Sequence, residues 1–258
     1  MKTLTVIKIG GNIVDRSEEL DLFLENFVKI DGPKILVHGG GIMASEMLVN
    51  LGIETVMHQG RRITDLETLK VVSMVYAGWV NKSIVAKLQK IGCNSLGLSG
   101  ADADSVPAVK RSPEPIDFGY VGDVDPTNIN IGFLFSLFGR GIIPVFCPIT
   151  HDRNGSILNT NADTMASSIA IALAGDYYTK LIYCFEKQGV LYDLTDDDSV
   201  IPLITKSNYS SLKKEGIVKD GMLPKMDNAF YALENGVSEV FIKHASNLCN
   251  DRGTLLRG

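Results

Sequence analysis

No run of lysine or arginine in the chain exceeds two residues, and its formal net charge is −5. That absence argues against a nucleic-acid stripe or an anionic membrane surface, so any anion binding has to be local. No apolar stretch reaches the length needed to span a bilayer. Cysteine is scarce: Cys93, Cys147, Cys184 and Cys249 lie far apart, with no Cys-x-x-Cys and no histidine at metal-ligand spacing. This pattern speaks against a disulfide scaffold or a zinc site. Four buried free thiols and the lack of a signal peptide predict a reducing, cytoplasmic setting. A Walker A loop is missing as well, because Gly-Lys-Ser/Thr occurs nowhere.

What is present is ample apolar material: 258 residues at 45% hydrophobic content can bury a large core. The stretch 3–11 reads as a β-branched strand that carries Lys8 to its carboxyl end and then meets Gly10-Gly11. A strand that delivers an ammonium and then frees backbone N–H groups is suited to an anion, most often phosphate. Residues 17–29 have amphipathic helix spacing with Ser17 as the expected cap, and 34–38 form a second strand running into Gly39-Gly40-Gly41. Strand, glycines and helix recur, which is α/β logic.

Further along, 54–63 reads as an extended hairpin ending in Arg61-Arg62, and Asp65 caps a long helical pattern that closes at Gly92. Leu66, Leu69, Val72, Val75, Trp79 and Val80 form its apolar stripe, with Gly78 as the weak point. Residues 94–98 are a strand, 106–111 and 120–124 hairpin material, and 131–138 a helix. Pro144 suggests that 142–147 is an edge strand or that the proline lies at a strand start. Asn159, Asn161 and Asp163 alternate before a tightly packed helix running to Ala174, and capping explains only one of the three. Strands at 181–185 and 240–243, helices at 207–215 and 222–234, and a closing strand at 254–256 complete the chain.

Gly39-Gly40-Gly41-Ile42-Met43-Ala44 also fits the dinucleotide fingerprint, so a nicotinamide or flavin enzyme has to be weighed. It occupies the second glycine turn, however, and Gln59 stands near the position that needs an acid. Taken singly, Lys8 could be a snorkelling strand end, Arg61-Arg62 solvated charge and Lys225 a surface lysine. As a pair, the two arginines suit a ligand with more than one carboxylate.

Taken together, Lys8, Gly10-Gly11, Gly39-Gly40-Gly41, Gly60-Arg61-Arg62-Ile63-Thr64, Gly119-Tyr120-Val121-Gly122-Asp123-Val124, Asn159-x-Asn161-x-Asp163 and Gly221-Met222-x-x-Lys225 resemble the amino acid kinase family over nearly the whole chain. The resemblance is to its acylglutamate branch. It implies a three-layer α/β/α sandwich with an open, mostly parallel sheet. An N-acylglutamate-binding lobe would span 1–174, including a dimerisation helix, and an ATP-binding lobe 175–258. The implied reaction is ATP-dependent phosphorylation of the γ-carboxylate of N-acetyl- or N-succinyl-L-glutamate in arginine biosynthesis, with Mg²⁺ entering alongside ATP and a homodimer as the assembly.

By position, Lys8 and Lys225 resemble the two lysines that stabilise the transferring phosphoryl group, and Asp163 the carboxylate that orients them. Gly40, Gly41, Arg62 and Asn159, with Arg61 and Asn161, fall on substrate-binding positions. Gly10, Gly11, Glu186, Gly189, Lys219, Gly221 and Met222 fall on nucleotide-binding ones. A carboxylate nucleophile needs no general base, so His38, His58, His151 and His244 are expected to be structural.

The chain departs from the family pattern at Glu186-Lys187-Gln188-Gly189, where Asp-Val-x-Gly is usual, at Lys219, and at Arg61, commonly apolar. Arg61 therefore suggests a larger, anionic acyl group. The extra helix of arginine-inhibited members has no counterpart before Thr3, which implies no arginine inhibition and a dimer rather than a ring of dimers. The competing readings are a kinase of aspartate, carbamate or glutamate, and a catalytically idle homologue that binds nucleotide or acylglutamate as a sensor.

Overall fold

Alternation along the first strand, β1 (Thr3–Ile9), sets up the architecture. Leu4 and Val6 enter one apolar core and Ile7 and Ile9 another, on opposite faces of one sheet. The computed structural model describes residues 1–58, 61–218 and 222–258. After β1 come α1 (Gly11–Val14), α2 (Ser17–Val28), β2 (Lys34–His38) and α3 (Gly41–Asn50). A small hairpin of β3 (Met57–His58) and β4 (Arg61–Arg62) leads into α4 (Leu66–Ser73), a π-helical turn Met74–Val80, and α5 (Asn81–Lys90).

The chain continues through β5 (Ser95–Leu98), the hairpin β6 (Val109–Lys110) with β7 (Gly122–Asp123), α6 (Ile131–Gly139), β8 (Ile143–Phe146) and the pair β9 (Ile149–His151) with β10 (Ile157–Asn159). The remaining elements are α7 (Ala162–Leu173), β11 (Tyr178–Phe185), β12 (Leu203–Thr205), α8 (Lys206–Lys214), α9 (Met222–Glu234), β13 (Glu239–His244) and β14 (Thr254–Arg257).

Eight of these strands form one sheet in the order β12-β14-β13-β11-β1-β2-β8-β5. It is parallel except that β14 runs against β13 and carries β12 with it. One face is covered by α6, α7 and α9, whose Leu134, Met165 and Met226 share a core with Leu4 and Val6. The other is covered by α2, α3 and the 66–90 helical rod, whose Phe23, Leu48 and Val72 pack with Ile7 and Ile9. This is the expected three-layer α/β/α sandwich, with β1 central.

Several local expectations need correction. Arg16, not Ser17, holds the cap position of α2, and it makes no side-chain capping bond. β8 lies between β2 and β5 rather than at an edge; Pro144 is tolerated because it stands near the strand start, where pairing to β2 has yet to begin at Val145. β14 is followed outward by β12, a three-residue strand too short to show a period. Trp79, placed on the buried stripe, is 68% exposed. The π-turn is the reason: a wider turn shifts the phase, burying Tyr76 and Val80 and swinging Trp79 out. Cys93, Cys147 and Cys184 are buried, whereas Cys249 is exposed. Among the described residues no helix is long and apolar enough to cross a membrane.

Candidate active site

The carboxyl ends of β1 and β2 open towards the amino-terminal ends of α1, α3 and α7, a crevice of the kind where open α/β sheets take their ligands. Lys8 follows Leu4 and Val6 on the face that meets α7, so its ammonium stands where that core ends. Asp163, in the first turn of α7, is nine-tenths buried. Its Oδ1 pairs with Lys8 Nζ at 2.8 Å, and Lys225 Nζ, reaching from α9, donates to Oδ2 at 2.8 Å. Three segments far apart in sequence thus meet on one carboxylate.

Burial alone would raise the pKa of Asp163, but Lys8 and Lys225 more than reverse this and hold it well below the usual carboxylate range. Burial pushes the Lys8 ammonium below its ordinary value; Asp163 opposes that shift and Lys225 adds to it. The group is two cations on one anion, with net positive charge left for a ligand.

Beside it lies a cavity of about 220 Å³, lined by Lys8, Gly11, Gly40, Gly41, Arg61 and Arg62, with Asn159 and Asn161 opposite. A side chain on Gly11 would place its Cβ 3.5 Å from Gly41 N, 3.7 Å from Gly40 N and 3.9 Å from Ile42 N. Three backbone nitrogens therefore surround a space that the bare glycine leaves open. None of the three donates to another backbone group among the described residues. Gly10 differs from its neighbour, since its N–H is spent on Cys184 O at 3.0 Å.

Arg62 is buried and anchored by donation to Ser45 Oγ at 2.7 Å, Gly41 O at 3.1 Å and Thr55 Oγ1 at 3.3 Å. It has no carboxylate partner among the described residues. Asn159 donates to Thr64 Oγ1 at 3.0 Å, which ties the cavity wall to the segment after β4. Asn161 is the cap of α7, its Oδ1 accepting from Thr164 N at 3.0 Å.

Arg61 is lowered in pKa by burial and by Arg111, with Asp123 opposing. Arg111 itself donates from Nε to Asp123 Oδ2 at 3.0 Å. Four cationic side chains thus line one cavity, and among the described residues no carboxylate does.

Of the nucleotide-side residues read from the sequence, Gly11 lines this cavity, while Gly10, Glu186, Gly189 and Met222 do not. Glu186 is exposed just beyond β11. Gly189 backs onto Thr254, whose Oγ1 would stand 2.8 Å from an added Cβ. Met222 opens α9 and packs partly on the core. Lys219 and Gly221 lie outside the described residues. Tyr76 and Arg111 line the cavity and were not foreseen. The first was masked by the phase shift of the π-turn, and the second sat among charges that read as an ordinary surface hairpin.

A sheet that gathers two lysines onto one aspartate beside a glycine-amide cradle presents positive charge and open N–H groups to an anion. The model of the amino acid kinase family matches residues 3–244, and the chain belongs to that family. Its relatives include the acetylglutamate kinase of Phocaeicola vulgatus, 51% identical over 98% of both chains. The acetylglutamate kinase of Methanopyrus kandleri is 40% identical over 98% of this chain and all of its own. Among solved structures, smu.665 from Streptococcus mutans is 27% identical, superposes with a TM-score of 0.81 and is covered over 98% of both chains.

Proposed function

We propose that this protein is an ATP-dependent kinase of the γ-carboxylate of an N-acyl-L-glutamate, with N-acetyl-L-glutamate as the first substrate to test, acting in arginine biosynthesis in the cytoplasm. The observation that carries the reading is the pair of ammonium groups held 2.8 Å from the two oxygens of Asp163, beside the cavity that Lys8 lines. The full-length likeness to acetylglutamate kinases points the same way.

In this reading the substrate's carboxylate, already ionised, attacks the γ-phosphorus of ATP in line, and the bond to the β,γ-bridging oxygen breaks to release ADP. The chain contributes position and charge. Arg62, Asn159 and Asn161 hold the acylglutamate; Lys8 and Lys225 neutralise charge spreading over the phosphoryl oxygens; the amides of Gly11, Gly40 and Gly41 receive those oxygens. Asp163 keeps the two lysines in place.

Residues 1–174 would form the acylglutamate lobe and 175–258 the nucleotide lobe, with Glu186, Gly189, Lys219, Gly221 and Met222 towards the nucleotide. Asp163 has both oxygens engaged, and no cluster of three or more His, Cys, Asp or Glu among the described residues could hold a metal. Mg²⁺ would accordingly enter on the triphosphate and add positive charge there. The test is ADP release with hydroxylamine trapping. Hydroxamate from N-acetylglutamate, and none from free glutamate, is the expected result; binding without turnover would favour the sensor reading.

Arg61 supports a second reading of the acyl group. It lines the cavity beside Arg111 and makes no ion pair among the described residues. A succinyl group would bring a carboxylate to it. N-succinylglutamate should then exceed N-acetylglutamate in kcat/KM, and Arg61→Leu should lower that ratio at least tenfold; an unchanged ratio would return Arg61 to the surface.

A homodimer is also proposed, formed through the long helical rod, where Met74 and Trp79 expose 62% and 68% of their surface.

A further inference from the structure

His38 ends β2 immediately before the glycine cradle and is fully buried, yet the reaction as described makes no use of it. Its ring nitrogens are both engaged: Nδ1 lies 2.6 Å from Gly39 O and Nε2 lies 3.0 Å from Asn81 Nδ2. The proton's location follows from the second partner. Asn81 is 1% exposed, and its carboxamide is oriented without reference to the histidine. Its Nδ2 donates to Val145 O at 2.9 Å, while its Oδ1 accepts from Lys82 Nζ at 3.1 Å, and that ammonium also donates to Gly97 O at 3.0 Å.

The group facing Nε2 is therefore an N–H, and Nε2 must accept. The ring proton belongs on Nδ1, which donates to Gly39 O. β5 accommodates the arrangement with a glycine: a side chain at Gly97 would overlap Asn81 Oδ1.

A trans peptide points its C=O and N–H in opposite directions. Holding the Gly39 carbonyl against a buried ring turns the Gly40 N–H the other way, towards the cavity that Gly40 lines. Gly40 has φ 155°, a conformation foreign to other residues, and an added Cβ would meet the Tyr76 ring at 3.0 Å. Gly39 N–H is held by Ile9 O and Gly40 O by Ala44 N, each at 3.1 Å, and the histidine is the partner that holds the carbonyl between them.

We propose that His38 is a positioning residue for phosphoryl transfer, its Nδ1–H fixing the Gly39–Gly40 peptide so that the Gly40 amide donates into the cradle, with Asn81 selecting the tautomer. Burial brings the pKa of His38 down to about 4, so the ring stays neutral at neutral pH and acts through geometry rather than charge.

The inference rests on the phosphoryl-transfer reading, and its test separates the two. In the intact protein labelled with ¹⁵N-histidine, His38 should show the neutral Nδ1–H tautomer from pH 6 to 8. An Nε2–H tautomer would overturn the proposal whatever the substrate proves to be. In turnover, His38→Leu should lower kcat tenfold or more while KM for the acylglutamate changes less than threefold. His38→Asn, which places an amide N–H near the former Nδ1, should recover most of the loss. Unchanged kcat in folded His38→Leu, or no recovery in His38→Asn, would overturn the positioning role. Should His38→Leu not fold, the tautomer and the kcat of His38→Asn remain decisive: an Nε2–H ring or a tenfold loss in His38→Asn sinks it. Absence of hydroxamate from the unaltered enzyme would remove the kinase reading instead, leaving the tautomer to be read on its own.

Discussion

Asp163 stands between two ammonium groups, so removing either lysine takes away the positive surplus offered to a ligand, and removing the aspartate leaves two cations uncompensated. Lys8→Ala and Lys225→Ala should each cost about 3 kcal/mol of transition-state stabilisation, roughly a hundredfold in turnover, as read by ADP release. Near-native rates in either variant would take that lysine out of the mechanism. Asp163→Asn should be worse for the fold, since it leaves buried cations without a counter-charge; a loss of about 3–5 kcal/mol is expected in urea unfolding at pH 7.

The pH dependence has a definite sign. Asp163 is depressed below its unfolded value, so its contribution to stability is present above about pH 4 and fades as pH falls through the folded pKa. Lys8 is lowered, so it becomes neutral below the ordinary lysine value of about 10.4, and turnover should decline on the alkaline side before that point. In Asp163→Asn, stability should rise with pH over the same alkaline range, because deprotonating Lys8 relieves the uncompensated charge. At this scale Lys8, Asp163 and Lys225, each bland taken singly, stand out in the sequence only through the family resemblance, which also implies that Asp163 orients the two lysines. The 2.8 Å contacts themselves come from the fold, because residues 8, 163 and 225 lie far apart in the chain. Arg111 as a wall of the cavity and His38 as a partner of Gly39 carry no local signal; only the folded hairpin and the buried ring give them partners.

Among the elements, α7 shows how one polar run divides its labour. Asn161 caps the helix and Asn159 ties the wall, while Asp163 reads the lysines. Asn161→Ala should cost about 1 kcal/mol in chemical denaturation from the lost cap, and more in activity than in stability, because the first turn carries Asp163. Sequence periodicity served strands and ordinary helices well: β2 and α9 were bounded correctly by apolar pattern and turn residues. It failed at the π-turn, since a single wide turn inside a helical rod has no period of its own. It failed at β12 because three residues are too few to alternate.

For the whole molecule, the cavity is cationic within a chain of net charge −5, so ligand capture depends on local field rather than on overall attraction. The exposed Met74 and Trp79 make a separate claim on assembly. Trp79→Glu should shift the sedimentation of the protein from dimer to monomer while hydroxamate formation per folded chain falls; a monomeric unaltered protein would dismiss the interface.

The π-turn also bears on which chain lengths evolution can explore. Winding 74–80 as ordinary α-helix with no residue removed would rotate everything beyond it by about 100°, one residue's turn. Asn81 would then leave His38, and Tyr76 would leave Gly40. Insertions and deletions should therefore be accepted in the exposed 112–117 loop, which bears on none of these contacts, whereas an insertion within 74–81 should be rejected and a single-residue deletion there tolerated only where the rod closes to an ordinary α-turn.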